Sequence, residues 1–166
     1  MRFTIVWRVL SLAAVTLALS GQGLAKGQQD LRFAGVVNDY TADFDGGGAW
    51  HIMGEWSMQV NGDSGKGTFS VGFAMARAAS EPRAFHSHHV TLEGGVVTPL
   101  ANGYRITGAA VMTGNGNLAG FNGSPISVDL TGGSAVPFSN LSITFFGGAA
   151  NHFGTGTIKG VVTQER

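Results

Sequence analysis

The chain contains no cysteine. Disulfides, thiolate nucleophiles and thiolate metal ligands are therefore all excluded, and stability rests on the core alone. Proline is scarce, at four residues in 166, and charged side chains make up only 12% of the chain. Disorder requires low hydrophobicity together with high net charge. Here 43% of residues are hydrophobic and the formal net charge is zero, so that class is excluded as well. Ten basic residues balanced by ten acidic ones supply neither the basic face that nucleic acid requires nor a polybasic membrane-binding segment. Beyond residue 25 no apolar run is long enough to span a membrane as a helix.

Residues 1–25 have the organisation of a secretory signal peptide. Arg2 and Arg8 provide a positive start, and residues 9–19 form an apolar stretch broken only by Ser11 and Thr16. Gly23 and Ala25 put small side chains at the −3 and −1 positions before Lys26, as signal peptidase requires. The expectation is an exported protein, periplasmic or extracellular, with residues 26–166 forming one domain and no membrane span after cleavage. The leader holds two of the ten basic residues and no acidic one, which leaves the remainder with a formal charge of −2.

What the sequence does contain is glycine, 27 residues of it, spaced between segments that alternate apolar and polar. In residues 50–60, Trp50, Ile52, Trp56, Met58 and Val60 share one face with Gly54, while His51, Glu55, Ser57 and Gln59 take the other. Residues 66–75 repeat the pattern with Phe69, Val71, Phe73 and Met75. A period of two is the mark of a half-buried strand. Asn61-Gly62 between these segments predicts a hairpin, because both residues accept positive φ. Further strands are expected at 31–39, 86–92, 96–100, 104–113, 126–131, 141–146 and 157–163. Helical character is expected only at 75–81, where Pro82 would end it.

About eight to nine short strands with mostly hairpin-length links predict an all-β fold. A single antiparallel up-and-down barrel is preferred, lipocalin-like or allene oxide cyclase-like, because closure removes exposed edges. A β-sandwich is the alternative.

The segment Phe85-His86-Ser87-His88-His89-Val90-Thr91-Leu92-Glu93 carries the most chemistry. On a strand, His86 and His88 share the face of Val90 and Leu92, so they point inward near a strand end. Imidazoles at i and i+2 project the same way about 7 Å apart and suit a shared divalent transition metal. His152, His51, Glu55 and Glu93 are candidate third ligands by type. The same pattern also fits partly wet polar residues at a strand end. Asp43 and Asp45 form an acidic loop with calcium-compatible oxygens, but they lack an EF-hand spacing and a terminal Glu.

His86-x-His88-x4-Glu93 resembles the first metal motif of the cupins, which implies those three side chains as ligands. The glycine expected six positions before its first histidine is Ser80 here, and the second motif is missing. Gly48-Ala49-Trp50 and Gly54-Glu55-Trp56 resemble the Gly-x-Trp signature near the first strand of lipocalins, which implies a tryptophan closing one barrel end. The C-terminal half resembles a group of uncharacterised exported bacterial proteins. That likeness rests on His88–Leu92, Asn102–Gly108, Thr131–Ser134, Pro137–Asn140 and His152-Phe153-Gly154, and it implies no activity.

The function expected from these observations is binding of a small, partly apolar molecule in the barrel. His86, His88, Trp50, Trp56, Tyr104 and His152 are its expected contacts. A metal-binding protein or metal-dependent enzyme using His86 and His88 is the alternative, and an envelope interaction protein with no small ligand is a third. A cofactor is not required by the first reading.

Overall fold

Alternation along the chain becomes strand after strand in the structure, a computed structural model. It describes residues 30–42, 47–77, 85–115, 121–132 and 140–166. The leader, Asp43 and Asp45, residues 78–84 and residues 133–139 lie outside the described residues. In chain order the strands are β1 (Leu31–Tyr40), β2 (His51–Asn61), β3 (Lys66–Ala76), β4 (Phe85–Leu100), β5 (Gly103–Ala109), β6 (Val111–Gly114), β7 (Pro125–Thr131), β8 (Asn140–Phe145) and β9 (Thr157–Glu165).

Each strand pairs antiparallel with its neighbour. The ring runs β1-β2-β3-β4-β5-β7-β8-β9 and closes where β9 meets β1. The eight-stranded up-and-down barrel is thus the observed architecture rather than a sandwich. Strand β6 is an extra piece on β4, with His88 opposite Gly114 and Thr91 opposite Val111.

Two strands depart from the sequence reading. Residues 86–92 and 96–100 form one continuous strand, because the Glu93-Gly94-Gly95 separator is a β-bulge and not a turn. Phe69 faces Leu92 and Gly67 faces Gly95, so Glu93 and Gly94 together oppose Thr68. Gly94 takes φ +62°, the left-handed conformation such a bulge requires. The extra residue changes the inward phase of β4 from even positions (His88, Val90, Leu92) to odd ones (Gly95, Val97). Conversely, the single strand expected at 104–113 divides at Ala110, where β5 ends its pairing with β7 and β6 continues along β4.

The helical expectation at 75–81 is corrected at its start, where Met75 and Ala76 belong to β3, while residues 78–81 lie outside the described residues. Helix occurs instead at a 3-10 turn (Gly147–Ala149) that leads into α1 (Ala150–Phe153). No helix among the described residues is long and apolar enough to cross a membrane.

Inward side chains from every barrel strand meet in one buried cluster. It includes Trp56, Met58, Phe69, Phe73, Leu92, Ile106, Val128, Ile143, Phe145 and Ile158. An eight-stranded barrel has an interior about wide enough for side chains to fill, and burying each large apolar side chain contributes about 1.5–3 kcal/mol. The two ends of the barrel differ. One end has the short β2–β3 and β4–β5 turns together with the longer β7–β8 link, while the other has the β1–β2, β3–β4, β6–β7 and β8–β9 connections, none of them tight. The histidines lie at the second end.

A three-histidine candidate metal centre at the barrel mouth

His86 and His88 point inward at the start of β4, opposite Met75 and Phe73 of β3. The third imidazole comes from α1. That single turn lies across the mouth because its end is anchored: the Ala149 amide donates to Ser124 Oγ at 3.1 Å, and Ser124 is itself buried. The Phe146 amide donates to the Pro125 carbonyl at 3.0 Å. Phe153, the last residue of α1, drops into the core against Phe145 (ring centroids 4.3 Å) and Phe73 (5.7 Å). With Phe153 directed inward, His152 is brought over β4.

The ligand atoms of His86, His88 and His152 all lie within 4.8 Å of one another. His88 Nε2 and His152 Nε2 are 2.7 Å apart. A divalent ion bound at about 2.0–2.1 Å by three imidazole nitrogens spaces them roughly 3.3 Å apart, a separation that falls between these two distances. The spacing of the three imidazoles therefore brackets the one such an ion needs.

His88 is only 3% exposed, and its Nδ1 has no hydrogen-bond partner among the described residues. A buried polar atom without a partner costs about 1–3 kcal/mol, which purely structural selection would tend to remove. Gly114 explains how β6 comes so close to this histidine. It takes φ +146°, and a Cβ there would collide with the Ser87 carbonyl and the His88 backbone.

Burial drives the His88 imidazole from its usual 6.5 down to about 4, with the charges of His152 and then His86 adding to the effect. His152 is likewise lowered to about 4, first by burial and then by His86. Both are therefore neutral at physiological pH, the state in which an imidazole donates its lone pair to a metal.

Aromatic rings form the walls. Trp50 meets His86 edge-on at 4.7 Å, Phe121 stacks on His152 at 5.2 Å, and Phe153 contacts both His88 and His152. Trp50 is held by a reciprocal pair with Thr41. Its amide donates to Thr41 Oγ1 at 3.0 Å, and its carbonyl accepts from the Thr41 amide at 2.9 Å.

Of the contacts expected from sequence, His86, His88, His152 and Trp50 are brought together. Trp56 lies deeper along β2, against Phe69, and donates Nε1–H to the Val161 carbonyl at 3.2 Å. Tyr104 is on β5 near the opposite end, 6.3 Å from Phe33 between ring centroids. Among the candidate third ligands only His152 joins. His51 points outward, 2.6 Å from Asn38 Oδ1 and stacked on Tyr40. Glu55 and Glu93 are exposed on the outer face, so the cupin-like spacing does not assemble a site.

Sequence reading missed Arg77. Its Cζ sits 4.4 Å from the centroid of Trp50, on the other contact of the ring that touches His86. The signal was present in the alternation, since Arg77 continues the inward series Val71, Phe73, Met75 by one step. No protein-family model, no curated protein and no solved structure matches this chain.

Proposed function

We propose that this protein is an exported metal-binding barrel that holds one divalent transition-metal ion between His86, His88 and His152. The reading is carried by the convergence of three imidazoles from two distant chain segments, with His88 buried and its Nδ1 unpartnered. An all-imidazole set suits zinc, copper, nickel or iron(II) and is a poor site for calcium or magnesium. We read the mouth as also admitting a small, partly apolar molecule beside the ion, since Trp50 borders His86 and Phe121 borders His152. Trp50 and Phe121 would then contact the partly apolar body of that molecule. A metal in this setting supplies Lewis acidity to whatever it binds.

The test uses protein purified without a histidine tag and freed of metal, then titrated with Co(II) or Zn(II). One equivalent should bind. His86→Ala with His88→Ala, and separately His152→Ala, should each weaken uptake by at least about 100-fold, since losing even an outer hydrogen bond to a ligand costs 10- to 100-fold. His51→Ala and His89→Ala remove outward imidazoles and should leave uptake unchanged. Wild-type protein that binds no metal, or triad variants that bind as wild type does, would refute the reading.

A further inference from the structure

The outer surface of the barrel treats its arginines in two ways. On β5, Arg105 stands directly opposite Asp129 of β7 and donates from Nε to Oδ1 at 2.6 Å, so the sheet itself supplies the counter-charge. On β1, Arg32 stands opposite another arginine. The Arg32 amide donates to the Arg166 carbonyl at 2.8 Å, and the Arg166 amide donates to the Arg32 carbonyl at 2.8 Å. Like charges directly opposite one another on a sheet are destabilising. Among the described residues neither guanidinium has an ion-pair or hydrogen-bond partner.

A bulge in β9 produces this pairing. Val36 faces Val161 and Gly35 faces Val162, but Ala34 faces Gln164, so Thr163 is an extra residue. Plain continuation of the register would set Thr163 against Ala34 and Glu165 against Arg32, an ion pair like the one on β5. The bulge instead turns Glu165 to the position opposite inward Phe33 and brings Arg166 to Arg32. The fold thus gives up a cross-strand ion pair where it could have made one. At that place a depression of about 330 Å³ opens on the outer face, toward the tight-turn end. Ala34 lies between Gln164 and Ser57 in the sheet and keeps its middle low, while Gln59 and Thr68 continue the row of Arg32 onto β2 and β3.

We propose that this depression binds the phosphate group of a small, soluble phosphate monoester between Arg32 and Arg166. Such a group carries about −1.5 to −2 charges near neutral pH and three strong acceptor oxygens, enough for both guanidiniums at once. A carboxylate is satisfied by a single planar fork, as Asp129 is by Arg105. Ser57, Gln59, Thr68 and Gln164 add hydroxyls and amides around the two cations, which suit a hydroxylated organic part such as a sugar. The site is separate from the three histidines, which lie at the other end of the barrel, and does not depend on the metal reading.

The experiment titrates metal-free full chain with glucose 6-phosphate in a calorimeter, with inorganic phosphate and glucose as its two halves. Glucose 6-phosphate should bind saturably, phosphate more weakly, and glucose not measurably. Arg32→Gln and Arg166→Gln should each weaken glucose 6-phosphate by about 10- to 100-fold, the loss expected for a charge-assisted hydrogen bond. Ala34→Leu keeps both arginines and fills the depression, so it should weaken binding at least as much, and it decides the matter if an arginine variant fails to fold. Gln59→Ala should weaken glucose 6-phosphate several-fold and leave inorganic phosphate as it was. Arg105→Gln removes the arginine that already has its carboxylate and should change nothing. Wild-type protein that binds neither phosphate compound, or affinity unaltered by both Arg32→Gln and Ala34→Leu, overturns the proposal. Sedimentation with phosphatidate-containing vesicles, lost in Arg32→Gln, from a protein indifferent to glucose 6-phosphate would overturn the soluble ligand in favour of a lipid headgroup.

Discussion

The two ends of the barrel follow the same alternation and fill it differently. Toward the tight-turn end, the inward positions hold Phe33, Met58, Val60, Phe69, Val97, Ile106 and Leu130, all of them apolar and buried. At the mouth, the corresponding positions of β4 hold His86 and His88, and the long connections add Trp50, Arg77, Phe121 and His152. Among the described residues the buried polar side chains, Thr41, His88 and Ser124, all lie toward the mouth, and His88 keeps a buried Nδ1 without a partner there. One end of the barrel is thus uniformly apolar inside, and the other gathers the imidazoles and the aromatic rings around them, as is usual when a rigid scaffold presents loops.

Truncating one phenylalanine at each end should separate those roles. Phe69→Ala and Phe153→Ala each empty a fully buried site, and each should cost about 3–5 kcal/mol in denaturant unfolding. Their effects on metal uptake should differ. Phe153 anchors α1 against Phe145 and Phe73, so its loss frees His152 from position and should weaken Co(II) binding by 10-fold or more. Phe69 lies against Trp56, away from the imidazoles, and its loss should leave binding within about twofold wherever the protein remains folded. Equal effects of the two substitutions on uptake would erase the distinction between the ends.

Acid should find the mouth first. In metal-free protein His88 and His152 titrate at about 4 when folded, against about 6.5 in the unfolded chain. Above pH 6.5 both states are neutral, and the pair adds no pH dependence. As pH falls from 6.5 toward 4 the unfolded chain takes up protons that the folded protein does not. Stability then declines by at most about 1.4 kcal/mol per pH unit for each imidazole. Below the folded value the decline stops. Urea midpoints at pH 7.5, 5.5 and 4.5 should show this slope, and His88→Gln with His152→Gln should flatten it. A slope identical in wild type and variant would place the acid sensitivity elsewhere.

Much of this arrangement was legible from residue order. The period of two in residues 50–60 and 66–75 identified both strands and their inward faces, and the hairpin expected between them is there, although its positive φ falls at Gly65 and not at Asn61 or Gly62. The inward direction of His86 and His88 followed from Val90 and Leu92 on the same strand. What alternation cannot show is which distant segment closes over a strand end. His152 was one of four possible partners by type, and only the turn at 147–153 selected it. That turn escaped detection because four α-helical residues are too few to display a helical period. Arg77 was hidden for a related reason: the run of alanines after Met75 favoured a helical turn over the final step of a strand.

The bulge at Gly94 gives the smallest test and shows why the two ends can coexist on one strand. His88 is inward at an even position and Val97 at an odd one, so β4 can serve both ends only by gaining one residue between them. Gly94 supplies it at φ +62°, where a Cβ would meet nothing within 4 Å. Gly94→Ala therefore meets no neighbouring side chain and costs the backbone strain of a left-handed alanine, about 1–2 kcal/mol, seen as a melting shift of roughly 3–8 °C. Metal uptake should not change. Deleting Gly94 is a different operation, because it removes the phase change and turns one half of the strand inside out. Either the imidazoles leave the interior or Val97 and the apolar end do, so the deletion variant should lose metal uptake or fail to fold. A deletion that folds and binds Co(II) as wild type does would mean that the phase of β4 is set somewhere other than the bulge.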